Sequence, residues 1–163
     1  MKTLHFVTDR LELKVVEGSD LENVHQLLTI PEVDQYNALG IPTNKEVTQV
    51  YLDEWIDNYE LRKEFVFAIR LKVSNDFVGL ISLIIGNSKY KIGTLWYKLD
   101  PKFWGNGYAT EAVKEVLKFS FQKIELHRVE AGCAIANIGS VKVLEKSGMK
   151  REGHKREILP LKT

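Results

Sequence analysis

Leu11, Leu13 and Val15 alternate with polar residues, the period-two pattern of a strand with one buried face, and predict a strand over 10–16. Ser19, Asp20, Leu21 and Glu22 then have the spacing of a capping box, in which the serine accepts from an amide three residues on and the glutamate reaches back. An apolar helical pattern follows to Leu28, and Pro31 stops it. Residues 31–43 hold two prolines and a glycine, which predicts a short helical turn and a loop. A second box, Thr43 to Glu46, opens a longer helix in which Val47, Val50, Tyr51, Ile56 and Tyr59 fall near helical spacing.

From Glu64 the period changes. Two apolar runs separated by Ser74, Asn75 and Asp76 predict a hairpin, and a turn at Asn87, Ser88 and Lys89 leads into a third strand around 91–99 that Pro101 ends. Beyond Gly105 and Gly107, residues Ala109, Ala112, Val113, Val116, Leu117, Ser120 and Phe121 make one stripe of a helix. A strand at 128–136, a short helix from Asn137 to Ser147 with Gly148 as its left-handed cap, and a strand at 152–161 complete the pattern. No repeat, low-complexity stretch or linker intervenes. The pattern predicts a single α+β domain over 1–163, built on a mixed, mostly antiparallel sheet flanked by helices.

Composition narrows the function classes. A chain of 163 residues, 44% hydrophobic and 28% charged, is large enough to bury a core without disulfides or a structural metal. Lys and Arg total 23 against 22 Asp and Glu, a balance that argues against nucleic acid or an anionic membrane as a partner. The basic run from Lys150 to Arg156 is interrupted by Glu152 and reads as a solvated strand face. One cysteine, Cys133, and four scattered histidines offer no zinc-site spacing, so no metal is expected. Cys133 lies in an apolar strand pattern and reads as an inert core thiol. With no apolar signal core and no membrane-length apolar run, the expected location is cytoplasmic.

The sharpest chemical feature runs from Leu99 to Ala112: a strand, a turn holding Gly105, Asn106 and Gly107, then a helix. A helix start carries unpaired amide donors and the positive end of the dipole, and glycines let an anion approach them closely. A protein of near-zero net charge can bind a pyrophosphate there, although a plain glycine turn before a capped helix has the same pattern. A P-loop is excluded because no Gly-Lys-Ser/Thr closes the turn. A dinucleotide-binding unit needs Gly or Ala where Thr110 stands and an acidic residue about 20 positions on, which Glu130 mimics. That unit also belongs after the first strand of a parallel set, whereas antiparallel hairpins precede this one. Coenzyme A is the third reading.

The stretch from Trp96 to Ala112 strongly resembles the acetyl-CoA motif of the GNAT superfamily of N-acetyltransferases, and within it the branch of the ribosomal-protein alanine N-acetyltransferases. Further matches are Thr8 to Leu13, Pro31 to Val33, Leu126 to Val129, Asn137 to Ser140 and Val143 to Met149, in order along the chain. The resemblance implies acetyl-CoA as co-substrate and a sheet splayed where that molecule binds. It places Trp104, Gly105, Asn106, Gly107, Tyr108, Ala109 and Thr110 at the pyrophosphate, and the strand of Trp96, Tyr97 and Leu99 along the pantetheine arm. Asn137 resembles the asparagine that contacts the arm and Ser140 the hydroxyl that meets the departing thiolate. Read from the residues alone, Asn137 is a helix N-cap and Ser140 fills the first turn.

The implied reaction is attack of a primary amine, such as a protein N-terminal α-amine, on the acetyl thioester. Many relatives carry a glutamate where Thr94 stands, which leaves the base unassigned. An α-amine of pKa ~7.8 is roughly a tenth neutral at pH 7, whereas a lysine of pKa ~10.4 is neutral about once in 2,500 molecules, which favours the former. Asp34, Tyr36, Asn37 and Leu39 in the loop 31–43 are the acceptor candidates, ahead of Glu54, Trp55 and Tyr59. A non-catalytic acyl-CoA sensor of the same fold is the alternative. Relatives usually add one more strand after 152–161, inserted beside 128–136. Its absence predicts a truncated form, and a terminal segment 154–163 that is poorly ordered, fills the vacant slot or exchanges with a second subunit in a homodimer.

Overall fold

The computed structural model describes residues 3–37 and 39–155. Six strands, β1 (His5–Val7), β2 (Leu11–Val15), β3 (Glu64–Leu71), β4 (Phe77–Ile85), β5 (Ile92–Leu99) and β6 (Arg128–Ala131), lie in chain order in one open sheet. All neighbours are antiparallel except β5 and β6. The helices α1 (Leu21–Leu28), α2 (Pro31–Asp34) and α3 (Lys45–Glu60) precede the meander, α4 (Tyr108–Gln122) crosses from β5 to β6, and α5 (Ile138–Lys146) follows. The mixed α+β sheet is the one the sequence predicts.

Strand alternation sorts the core into two layers. Phe65, Phe67 and Ile69 of β3 pack with Val113, Val116 and Phe119 of α4, whereas Val66 and Ala68 pack with Val24 of α1 and Leu52 of α3. Because both faces of β3 are covered, it reads as a continuous apolar run rather than an alternating one. A Cβ on Gly79 would stand 2.1 Å from the Lys98 carbonyl oxygen, so glycine is what lets β4 approach β5 at the end that leads into the glycine turn.

Several local expectations are corrected. Helix α1 starts at Leu21 with Asp20, not Ser19, at its N-cap position. The Asp20 carboxylate accepts from the Glu17 amide and from Arg70, both at 2.9 Å, so a half-buried ion pair fixes that corner. At α3 the cap is Asn44 rather than Thr43, its side chain accepting from the Val47 amide at 3.1 Å. The buried stripe of α3 is Thr48, Leu52, Trp55 and Tyr59, and Val50 is 63% exposed. Thr48 is drawn inward by its 2.7 Å bond to His25 Nδ1. Strand β1 is unpredicted because three residues show no period. Only its Phe6 turns inward, against Phe67 and Phe119.

The strand expected at 128–136 is four residues long, because β5 and β6 separate after Ala131 and leave the rest without a partner. Cys133 is consequently exposed rather than a core thiol. Gly148, at φ +92°, is the left-handed cap expected. Residues 152–155 form no strand, and 156–163, with most of the expected final strand, lie outside the described residues. Among the described residues no strand covers the outer edge of β6, and no helix is long and apolar enough to cross a membrane.

Candidate active site

The parting of β5 from β6 creates the site. Their pairing runs from Ile92 opposite Arg128 to Leu95 opposite Ala131 and stops, while β5 continues to Leu99. The Gly86 amide bonds the Ile92 carbonyl and the Asp100 amide bonds the Val78 carbonyl, each at 2.9 Å, so even-numbered main chain on β5 faces β4. By alternation the main chain of Tyr97 and Leu99 faces the gap. The Leu99 carbonyl is taken by Trp104 Nε1 at 2.9 Å. The Tyr97 amide and carbonyl and the Leu99 amide are left for an extended ligand arm. Trp96, expected to contribute main chain, instead turns its backbone to β4 and offers its indole to the opposite face.

At the end of β5 the chain makes one 3-10 turn over Pro101–Phe103 and enters the glycine loop. Gly105 and Gly107 sit at φ +75° and +80°, in the left-handed region where a Cβ is strained. Asn106 donates its side-chain Nδ2 to the Phe103 and Trp104 carbonyls, at 3.1 and 3.0 Å, so the side chain braces the loop. Arg10 Nη1 donates to the Asn106 carbonyl at 2.8 Å and the guanidinium lies 4.5 Å over the Tyr108 ring. Arg10 is held in turn by Glu111, which accepts from its Nε at 2.8 Å, from its backbone amide at 3.0 Å and from the Thr8 hydroxyl at 2.6 Å. Burial would raise the Glu111 carboxyl, but these donors outweigh it and hold the group below the usual carboxylate range. This Thr8–Arg10–Glu111 clamp was not anticipated as a functional unit, although all three residues fall in the motifs Thr8 to Leu13 and Trp96 to Ala112.

Across the gap stands α5. Asn137 caps it, accepting from the Ser140 amide at 3.2 Å, so the capping role read from the residues alone is present. The Tyr97 hydroxyl donates to Ser140 Oγ at 2.9 Å, a pairing the sequence did not indicate. Burial pushes the Tyr97 phenol above its usual range, against the effect of that bond. Cys133 lines the same wall, its thiol raised by partial burial and lowered by Arg151.

One cleft of about 1040 Å³ joins these parts. It brings together Trp96, Tyr97, Leu99, Trp104, Gly105, Gly107, Tyr108, Ala109, Thr110, Asn137 and Ser140 with Tyr36 and Asn37. Asn106 and Asp34 stand outside its lining, as does Tyr59, which is buried with its hydroxyl on the Leu4 amide. Leu39, Tyr51, Glu54 and Trp55 line the end opposite the glycine loop. There Lys98 also lines the cleft, its ammonium 5.5 Å over Trp96, which packs 5.8 Å from Trp55. Burial pushes Lys98 down to about 8, opposed by Asp34. Asp34 Oδ1 is buried without a hydrogen-bond partner among the described residues.

The family model for the acetyltransferase (GNAT) domain matches residues 10–150. The chain belongs to the GNAT acetyltransferases. It is 32% identical over 152 residues to the probable N-acetyltransferase YjcK of Bacillus subtilis, covering 93% of this chain and 80% of that one. Among solved structures, RimL, a ribosomal α-N-protein acetyltransferase in complex with coenzyme A, superposes with TM-score 0.88 at 20% identity over 98% of this chain and 90% of that one. The spermidine N-acetyltransferase of Vibrio cholerae, in complex with CoA and spermine, gives 0.84 at 21%, over 95% and 89%.

As a GNAT acetyltransferase the protein transfers the acetyl group of acetyl-CoA to an amine. Its cleft fits that co-substrate. The first-turn amides of α4 lack intrahelical acceptors and face an open loop where a Cβ on Gly105 would touch nothing within 4 Å. The unpaired β5 main chain supplies a strand-like track from that loop to Ser140.

Proposed function

We propose that the acetyltransferase acts on an α-amine, such as a peptide N-terminus, or another amine of similarly low pKa. The observation that carries this reading is the continuity of the cleft: one chamber runs from the glycine loop past Ser140 to the wall of Tyr36, Asn37, Trp55 and Trp96. Both substrates can meet at the parting of β5 and β6. Thr94 stands where many relatives carry a glutamate, and an acceptor partly neutral at neutral pH makes the smallest demand on a base. RimL's activity on protein α-amines accords with this choice.

In this reading the amides of Gly105, Asn106, Gly107, Tyr108, Ala109 and Thr110 hold the pyrophosphate, with Trp104 flanking them. Tyr97 and Leu99 bind the pantetheine arm through main chain and Asn137 holds its far side. A main-chain amide of the gap donates to the carbonyl oxygen as it gains charge. Ser140 donates to the sulfur as the C–S bond breaks and the electron pair leaves with it, and the Tyr97 hydroxyl keeps Ser140 oriented. Tyr36 and Asn37 contact the acceptor directly, and Asp34 acts from behind them.

The test is acetyl-CoA-dependent release of free thiol with a panel of peptides, polyamines and aminoglycosides. Peptides with free N-termini should be acetylated, and their Nα-blocked, lysine-containing counterparts should not. Preference for a polyamine or a lysine side chain would overturn the α-amine reading.

A further inference from the structure

We propose that Lys98 is the base that takes the proton from the attacking amine. Alternation along β5 places its side chain with Trp96 on the face of α1 and α3, opposite Tyr97 and Ser140. Its own main chain faces β4, but it stands between Tyr97 and Leu99, whose main chain faces the gap. The side chain lines the cleft at its acceptor end, across the strand from the Tyr97–Ser140 pair. Its β4 partner is Leu80, fully buried, and the ammonium rests over the Trp96 ring. Among the described residues no carboxylate lies within ion-pair distance of it, so its amine is free to exchange a proton.

That setting suits a base. Desolvation without a paired anion favours the neutral amine, and the resulting value of about 8 leaves roughly a quarter of Lys98 neutral near pH 7.5. Asp34 on α2 pulls the other way. The remaining ionisable groups on the acceptor side are Glu32 and Tyr36 near α2, and Tyr51 and Glu54 on α3. On the far wall they are Lys142 and Lys146 of α5, with Tyr97 and Cys133. Glu64 lies beneath Trp96, engaged by Ser82 and the indole. A base near 8 is matched to an α-ammonium near 7.8 and lies more than two units below a lysine side chain, so it also selects the acceptor.

The step balances. The amine nitrogen bonds the acetyl carbon, the carbonyl π pair moves to oxygen, and Lys98 Nζ takes one N–H proton. The oxygen pair then re-forms the C=O bond as the C–S bond breaks with its pair on sulfur, the thiolate takes a proton from solvent, and Lys98 returns its own to solvent.

This inference rests on acetylation in this cleft but not on which amine is used, so the acceptor preferred by the wild type serves in the test. Lys98→Met and Lys98→Arg are compared with wild type across pH 6–10. In the wild type kcat at saturating acceptor, which is blind to ionisation of the free amine, should rise through an apparent pKa near 8. Lys98→Met should lose that limb and at least about tenfold in turnover, with CoA affinity by calorimetry unchanged. Lys98→Arg, charged throughout, should not restore turnover. NMR titration of 13C-labelled lysine should show Lys98 near 8 in the resting protein. Wild-type turnover in either variant, or titration of Lys98 near its usual 10.4, overturns the assignment. A changed acceptor preference with an intact Lys98 effect overturns only the α-amine reading.

Discussion

The hydroxyl of Tyr97 on β5 donates to Ser140 Oγ on α5, 2.9 Å across the gap where the sheet opens. This bond bridges the two walls of the gap, and in the proposed reaction it orients Ser140 before the thiolate leaves.

Removing each hydroxyl separates the roles. Ser140→Ala should lower kcat about ten- to hundredfold with little change in apparent affinity for acetyl-CoA, since its bond to sulfur forms as the thiolate departs. Tyr97→Phe should cost about fivefold, the worth of one neutral hydrogen bond. Unchanged kcat in Ser140→Ala, with single-turnover kinetics showing chemistry to be rate-limiting, would reduce Ser140 to a first-turn residue of α5.

Gly107 is tested through its backbone. At φ +80° any side chain is strained by about 1–2 kcal/mol, and a Cβ would stand 3.3 Å from Nη2 of Arg10, whose Nη1 braces the loop. Gly107→Val should therefore weaken CoA binding at least about tenfold by calorimetry, while the circular dichroism spectrum stays that of the wild type. Equal affinity in a folded variant would remove the pyrophosphate from this loop.

The Glu111 clamp makes stability pH-dependent. Its folded pKa is depressed, so its contribution is fully present above the usual carboxylate range and fades as pH falls through the folded value. Glu111→Ala should cost about 2 kcal/mol near neutral pH. The gap between variant and wild type should close on acidification below pH ~4. Urea unfolding at several pH values checks this, and a gap that widens in acid would contradict it.

The legible parts of this protein are those whose determinants are close in sequence. The β3–β5 meander shows in apolar runs and turns, and the glycine loop in spacing across Gly105 to Thr110. Long-range choices did not show. Ser19 and Asp20 are equally good caps until Arg70, 50 positions on, pairs with Asp20. Glu111 looks like an ordinary first-turn acid until Arg10, 101 positions away, is seen on it. The apolar run through Cys133 suggested a strand, but strand length depends on the partner, and β5 has already veered off. Lys98 was invisible as chemistry because its properties come from the covering of Trp96 and Leu80.

The acceptor wall has its own support, and it yields the last prediction. Glu64 is buried in β3, and its Oε1 accepts from Ser82 Oγ at 2.7 Å and from Trp96 Nε1 at 3.1 Å. Trp96 in turn packs on Trp55, and both line the cleft. Glu64→Ala would strip the acceptor from two donors in a largely dry site, at a cost of about 2–3 kcal/mol, or roughly 5–10 °C in melting temperature. Glu64→Gln keeps a carbonyl oxygen for the same donors and should lose less than about half of that. Because the carboxylate sits behind the acceptor face and away from the glycine loop, Glu64→Gln should raise KM for the amine while leaving CoA affinity within about twofold of wild type. Differential scanning calorimetry and steady-state kinetics together decide the matter. A Glu64→Ala protein as stable as wild type, or a Glu64→Gln protein impaired in CoA binding but not in amine KM, would refute this support role.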